Sequence, residues 1–238
     1  MKFGVKTYDQ EKFLDKFIDS SDFFEVQAIR GNDYSFLTKY DKEIVIHCEH
    51  ANFGVNISDS SKDKFNLDAI NFARGLADSV NCKKIVVHPG LLQNENCSVE
   101  NTINFLKDNY DSRFCVENMP FLSREKKKVG STPEEIKRIM VEAKVGFCFD
   151  INHAIESAST QGEDYWNYLK KFEKLKPNHY HLGGEKMDVM KSHFSFCDSD
   201  LDLGKVFDIL ETDTTMTLEV SLDDEKIKED LKVVRGFR

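Results

Sequence analysis

The sequence predicts an α/β protein, a single (β/α)8 TIM barrel, and three observations carry that expectation. Eight short strand-like runs alternate with helix-like runs along the 238 residues, a pattern that favours a closed barrel over an open doubly wound sheet. Runs such as IVIH, KIVVH and GFCFD are apolar on both faces, as strands covered by helices require. Six successive runs stop on a metal-binding side chain: EIVIH on His47, KKIVVH on His88, RFCVE on Glu117, VGFCFD on Asp150, NHYH on His181 and TMTLE on Glu219. Core packing has no use for a carboxylate or imidazole at every strand end. Closing parallel strands into a barrel gathers all of them on one rim. A chain of this length fits one such barrel, so residues 1–238 are expected to form a single domain.

The elements follow in order. A strand over Lys2–Lys6 leads to a helix over Gln10–Ile18 and a strand over Phe23–Ala28. The link after Ala28 is short and irregular, so the helix due there is reduced. Next come strand Glu43–His47, helix Phe65–Ser79, strand Lys84–His88, helix Val99–Asp108 and strand Arg113–Glu117. The helix over Pro133–Glu142 has the best-marked start. Thr132-Pro133-Glu134-Glu135 joins a capping-box pattern to proline at the first helical position. Strand Val145–Asp150, helix Asp164–Leu175, strand Asn178–Leu182, helix Lys205–Leu210, strand Thr215–Val220 and helix Asp224–Val234 complete the alternation. The lone Trp166, with Tyr165 and Tyr168, has helical spacing and is expected to pack against the barrel. Long connections (Cys48–Lys62, Pro89–Cys97, Asn118–Gly130, Gly183–Asp202) all follow strand ends, whereas the turns entering strands are tight. Barrels build their active sites in loops of that first kind. There is no internal repeat, low-complexity tract or linker.

Hydrophobic residues make up 40% of the chain, enough for a substantial core, and the formal charge is −9. That balance gives no general pull toward nucleic acid or anionic membrane. The six cysteines contain no C-x-x-C pair, and Cys115 and Cys148 fall inside apolar strands. They read as reduced thiols of a cytoplasmic protein. The opening MKFGVKTY reads as a strand without an apolar signal core, and no run reaches membrane-spanning length.

Glu117, Asp150, His181 and Glu219 form a carboxylate–carboxylate–imidazole–carboxylate set on four consecutive strands. Oxygen and nitrogen donors without thiolate suit Zn, Mn, Co or Mg as the divalent metal. Around them stand His88 in VVHPG, His153 in FDINHA, and Asp198 and Asp200 in CDSDLDLG.

The blocks VVHPG, CVENMP, GFCFDINHA, HYHLGG and TLEVS, in order from Glu43 to Ser221, resemble those of the xylose isomerase-like barrel superfamily. That group includes sugar isomerases and epimerases and also endonuclease IV-type enzymes acting at abasic sites in DNA. The resemblance implies an eight-stranded barrel, a divalent metal at the C-terminal rim, and Glu117, Asp150, His181 and Glu219 as the shared site. In the endonuclease branch a trinuclear zinc site has further ligands, which His88, His153 and Asp198 match; Asp200 stands where the D-x-H pattern has histidine. One more ligand falls in IHCEHANFGVN, where strand geometry favours His47 and the following A-x-x-x-x-N spacing favours His50. In the isomerase branch paired carboxylates, here Glu117 and Glu219, move a proton between neighbouring carbons while the metal stabilises the enediolate.

The loop after His181, GGEKMDVMKSHF, lacks the arginine-bearing motif of keto-sugar epimerases; Glu185 or Lys186 stands in as a substrate contact. His193 and Arg30 are further substrate-binding candidates, each set against a plain surface role. His179 reads as a packed histidine and Arg124–Lys128 as a solvated charge run. The expected substrate is a small sugar or sugar phosphate, isomerised or epimerised; the alternative is phosphodiester hydrolysis at abasic sites, with DNA as partner in that case only. No membrane partner is expected. A binding protein with a vestigial site would show gaps among the four shared ligands, and none is missing.

Overall fold

The computed structural model describes residues 1–7, 10–123 and 126–237; Arg124 and Glu125 of the basic stretch lie outside the described residues. The chain begins β1 (Lys2–Thr7), α1 (Glu11–Phe17), β2 (Phe23–Gln27), β3 (Glu43–His47), α2 (Asp63–Ser79), β4 (Ile85–Val87) and β5 (Leu91–Leu92). Then come α3 (Val99–Asp108), β6 (Phe114–Glu117), β7 (Leu122–Ser123), β8 (Lys126–Lys128), α4 (Pro133–Ala143), β9 (Gly146–Asp150), α5 (Ile151–Gln161) and α6 (Tyr165–Glu173). The last elements are β10 (His179–Leu182), β11 (Gly184–Lys186), β12 (Lys191–Phe194), α7 (Leu203–Ile209), β13 (Thr215–Leu218) and α8 (Asp224–Arg235).

Eight strands close a barrel in the order β1-β13-β10-β9-β6-β4-β3-β2, and every neighbouring pair is parallel. This is the expected (β/α)8 arrangement. The link after β2 carries only a 3-10 turn at Ser35–Lys39, the reduced helix the sequence suggested. One helix was not anticipated. α5 starts directly from the end of β9, and Asp150 is its N-cap, accepting from the His153 backbone N–H at 2.7 Å. A residue that ends a strand and caps the next helix leaves no loop to announce the helix. No helix among the described residues is long and apolar enough to cross a membrane.

Strand alternation sorts side chains into two environments. On β2, Phe24 packs outward against Tyr40, while Phe23 and Glu25 point into the lumen and meet His179. On β9 and β10, Phe147, Phe149 and Tyr180 face outward, the two phenylalanines stacking with Phe172 of α6. The lumen is plugged by Phe23, Val45, Val86, Cys115 and Cys148. Gly4 makes room for that plug: a Cβ there would lie 2.5 Å from the Phe23 ring. Toward the C-terminal strand ends the lumen turns polar, and above it sit two small sheets built from the rim loops, β11–β12 and β5–β8–β7.

Candidate metal centre

The strand-end residues converge. From β6, Glu117 places Oε2 at 3.2 Å from His47 Nε2, 3.1 Å from His88 Nε2 and 3.6 Å from His181 Nδ1. Its Oε1 lies 3.2 Å from His153 Nδ1. His181 Nδ1 is 3.0 Å from Glu219 Oε1 and 4.0 Å from Asp150 Oδ2. Asp150, His181 and Glu219 form one group of close ligand atoms; His47, His88 and Glu117 form a second, and Glu117, Asp150 and His153 a third. Glu117 belongs to two of them.

Neighbouring groups hold these side chains in place. Asn118 accepts from the Asp150 backbone N–H at 2.7 Å and donates back to its carbonyl at 2.8 Å, tying the ends of β6 and β9 together. Asn152 does the same for Gly183 beyond β10, at 2.7 and 3.0 Å. His47 Nδ1 sits 2.9 Å from the Cys48 carbonyl, so it donates there and leaves Nε2 free to face Glu117. In VVHPG, Gly90 has φ of 110° and presses against Asn56, whose Oδ1 would stand 2.4 Å from a Cβ.

Charge is unevenly shared. Burial alone would raise the carboxyls of Glu117 and Glu219, but His88 and His181 hold Glu117 well below the usual carboxylate range, and Lys6 and His181 do so for Glu219. Asp150 goes the other way, raised by burial and by the Glu117 and Glu219 charges. Burial pulls His153 down, yet Asp150 and Glu117 together outweigh it and the imidazole rises to about 9. His88 falls to about 4, chiefly through burial. Carboxylate oxygens and imidazole nitrogens this close together are of a kind that suits a divalent cation. His181 Nδ1 supports that fit directly, being buried without a hydrogen-bond partner. Ligands of one ion, bound at about 2.0–2.2 Å, sit roughly 3 Å apart, which is the His181–Glu219 spacing.

The centre opens into a cavity of about 720 Å3 whose wall includes Lys6, His50, Glu117, His153, His193 and Glu219. His50 stacks on His88 with ring centroids 4.7 Å apart, so both histidines of the ambiguous segment are near the centre, His47 in a group of converging donor atoms and His50 on the cavity wall. His193 donates from Nδ1 to the Glu219 carbonyl at 3.0 Å.

Five other candidates are not brought to the centre. Asp198 is half-buried and ion-paired with Lys226 of α8 at 2.6 Å, and Asp200 is exposed 3.7 Å from Lys186. Neither belongs to a ligand group among the described residues, and Lys186 is spent on that surface pair. Glu185 is fully buried behind the rim, accepting from Asn152 at 2.9 Å, and burial pushes its carboxyl up to about 8. Arg30 is held by Glu49 at 2.7 Å and lies over the Phe65 ring. The solvated-run reading of the basic stretch does not survive for Lys128, which β8 turns into the cavity wall.

Sequence reasoning missed Lys6 and Glu25. Lys6 reaches Glu219 Oε1 at 2.5 Å and Glu25 Oε1 at 3.4 Å, and Glu25 is fully buried in the lumen. A charged residue amid apolar ones, at the lumen-facing phase of each strand, was the available signal.

A sequence profile described as the xylose isomerase-like TIM barrel matches residues 35–237. A search of curated proteins returns no match. Among solved structures, a D-tagatose 3-epimerase-like protein is 19% identical with a TM-score of 0.74, over 100% of this chain and 97% of its own. Endonuclease IV from Thermus thermophilus is 17% identical with a TM-score of 0.77, over 100% and 98%. The IOLI protein with a bound zinc atom is 13% identical with a TM-score of 0.70, over 100% and 96%. Identities this low establish the shared fold.

Proposed function

The chain belongs to the xylose isomerase-like TIM barrel family, and from that premise we propose that it is a divalent-metal-dependent enzyme that isomerises or epimerises a small sugar or sugar phosphate. The observation that carries this reading is a pair of carboxylates, Glu117 and Glu219, facing one cavity of about 720 Å3, the scale of a small-molecule site. Glu117 ends β6 and Glu219 follows β13, and two strands, β9 and β10, separate them in the barrel. A substrate bound between them meets a carboxylate on either side. Both carboxyls are held below the usual range and are ionised, so either can take a proton from the carbon beside a carbonyl, and the partner, or the same group, returns it.

Asp150, His181, Glu219 and Glu117 would hold the cation. When bound, it supplies Lewis-acid stabilisation of negative charge on substrate oxygens. Lys6 fixes Glu219 through Oε1 and adds positive charge to the cavity floor. His50, His153 and His193 line the wall and offer hydrogen bonds to hydroxyls. Met119, Leu218 and Leu222 give it an apolar side. The test is proton exchange in deuterated buffer: metal-loaded protein with a panel of ketoses, aldoses and their phosphates should place deuterium beside the carbonyl, and Glu219→Gln should not.

A second reading has its own observation. His47 and His88 on Glu117 Oε2, with His153 on Oε1, provide donors beyond what a one-metal isomerase needs. They fit phosphodiester hydrolysis at abasic sites in DNA. Against it stand Asp198 and Asp200, both committed to surface lysines. Cleavage of a duplex carrying one abasic analogue, lost in Glu219→Gln, with no exchange on any sugar, would favour this reading.

A further inference from the structure

Beneath the rim a chain of polar side chains runs from the candidate centre down to a buried carboxylate that neither chemistry uses. Its hub is Glu25, placed mid-strand in β2, paired in register with Lys6 of β1 and Val45 of β3. One carboxylate oxygen, Oε2, meets His181 Nε2 at 3.0 Å, His179 Nε2 at 2.9 Å and the Thr217 hydroxyl at 2.6 Å. The other, Oε1, faces the Lys6 ammonium at 3.4 Å. All of these except Lys6 are fully buried.

We propose that Glu25 is a positioning residue that decides which nitrogen of His181 is presented to the rim carboxylates. An ionised carboxylate can only accept hydrogen bonds, so the ring nitrogen facing it must carry a proton. His181 therefore donates from Nε2 and turns Nδ1 toward Glu219, Glu117 and Asp150. That is the geometry observed, with Nδ1 buried and without a hydrogen-bond partner. Lys6 completes the device by binding Glu25 with one side and Glu219 with the other, so a single ammonium locks the orienting carboxylate to a ligand carboxylate. His179 occupies the remaining approach to Oε2: its Nδ1 lies 2.6 Å from the Thr215 hydroxyl and accepts from it, which leaves Nε2 as the donor to Glu25. Outer carboxylates of this kind fix ring orientation and raise the basicity of the ligating nitrogen. The inference rests on the metal-centre part of the proposed function and is independent of the substrate.

The experiment uses the full chain and zinc alone. Zinc affinity is measured by competition with a chromogenic chelator for the unmutated protein and for Glu25→Gln, which keeps the shape and removes the charge. Affinity should fall about 10–100-fold, while melting in excess chelator checks that the variant is folded. Equal affinity in both proteins overturns the role of Glu25, and absence of zinc binding in the unmutated protein overturns the metal centre as well. Should the variant fail to fold, the unmutated protein still decides. A long-range 1H–15N correlation spectrum of the zinc-loaded chain should show His181 protonated at Nε2 and metal-bound at Nδ1. Protonation at Nδ1 with zinc on Nε2 refutes the proposal.

Discussion

Asn118 links the fold to the metal centre, and removing its side chain makes a quantitative test. Its amide oxygen is the acceptor for the buried Asp150 N–H at 2.7 Å, and its amide nitrogen donates to the Asp150 carbonyl at 2.8 Å. Both residues are inaccessible to solvent. Asn118→Ala leaves the Asp150 N–H without its partner, a desolvation penalty of about 1–3 kcal/mol. The carbonyl loses one of its acceptor contacts but remains the N-cap carbonyl of α5, so its share is only about 1 kcal/mol. The total destabilisation is about 2–4 kcal/mol, a lowering of roughly 4–16 °C in melting temperature for a chain of this size. Asn118→Asp sets a carboxylate oxygen against the Asp150 carbonyl, beside the buried Glu117 and Asp150 carboxyls, so it should cost at least as much as the alanine variant. Denaturant unfolding with chelator present separates this from metal binding. A loss within about 0.5 kcal/mol, the usual span of surface substitutions, would refute the claim that Asn118 pins the end of β9.

Gly4→Ala should destabilise by about 1–3 kcal/mol, because its Cβ would sit 2.5 Å from the Phe23 ring; denaturant midpoints check it. Asp230 is buried beside Ser195 and the Phe196 N–H, with Oδ2 unpartnered, and burial raises its carboxyl above the usual range. A raised carboxyl favours the folded state when protonated, so its contribution is present below about pH 3.9 and fades as pH rises through the folded value. Asp230→Asn should therefore gain stability relative to the parent at pH 7 and show no such gain at pH 3.5, read by urea unfolding at both. The double variant Glu117→Gln/His181→Ala should lose most of its metal by elemental analysis, and metal content equal to the parent would count against the centre.

What the sequence revealed follows from how strands signal themselves. Each apolar run that stops on a carboxylate or imidazole marks both a strand and its rim residue, so His47, His88, Glu117, Asp150, His181 and Glu219 lie together at one end of the barrel, and His153, three residues past Asp150 on α5, was legible only through the family resemblance. Glu25 and Lys6 escaped because a charged residue inside a strand gives no such stop; only the register of β1 on β2 brings them under the centre. Asp198, Asp200 and Glu185 misled for the opposite reason. A motif fixes spacing along the chain, but the β11–β12 hairpin decides direction, turning Glu185 inward and leaving both aspartates against surface lysines. α5 was hidden because its N-cap, Asp150, is also the last residue of β9.

The number and ligands of the bound metals test the account most directly. Crystals of protein purified without chelator, measured by anomalous scattering at the metal edge, should show one or two ions. Asp150, His181, Glu219 and Glu117 should hold the first, with Glu117 bridging to His47 and His88 if a second is present. Asp198 and Asp200 should remain on their lysines. Three fully occupied ions with Asp198 and Asp200 as direct ligands would contradict this account and favour phosphodiester hydrolysis over sugar isomerisation.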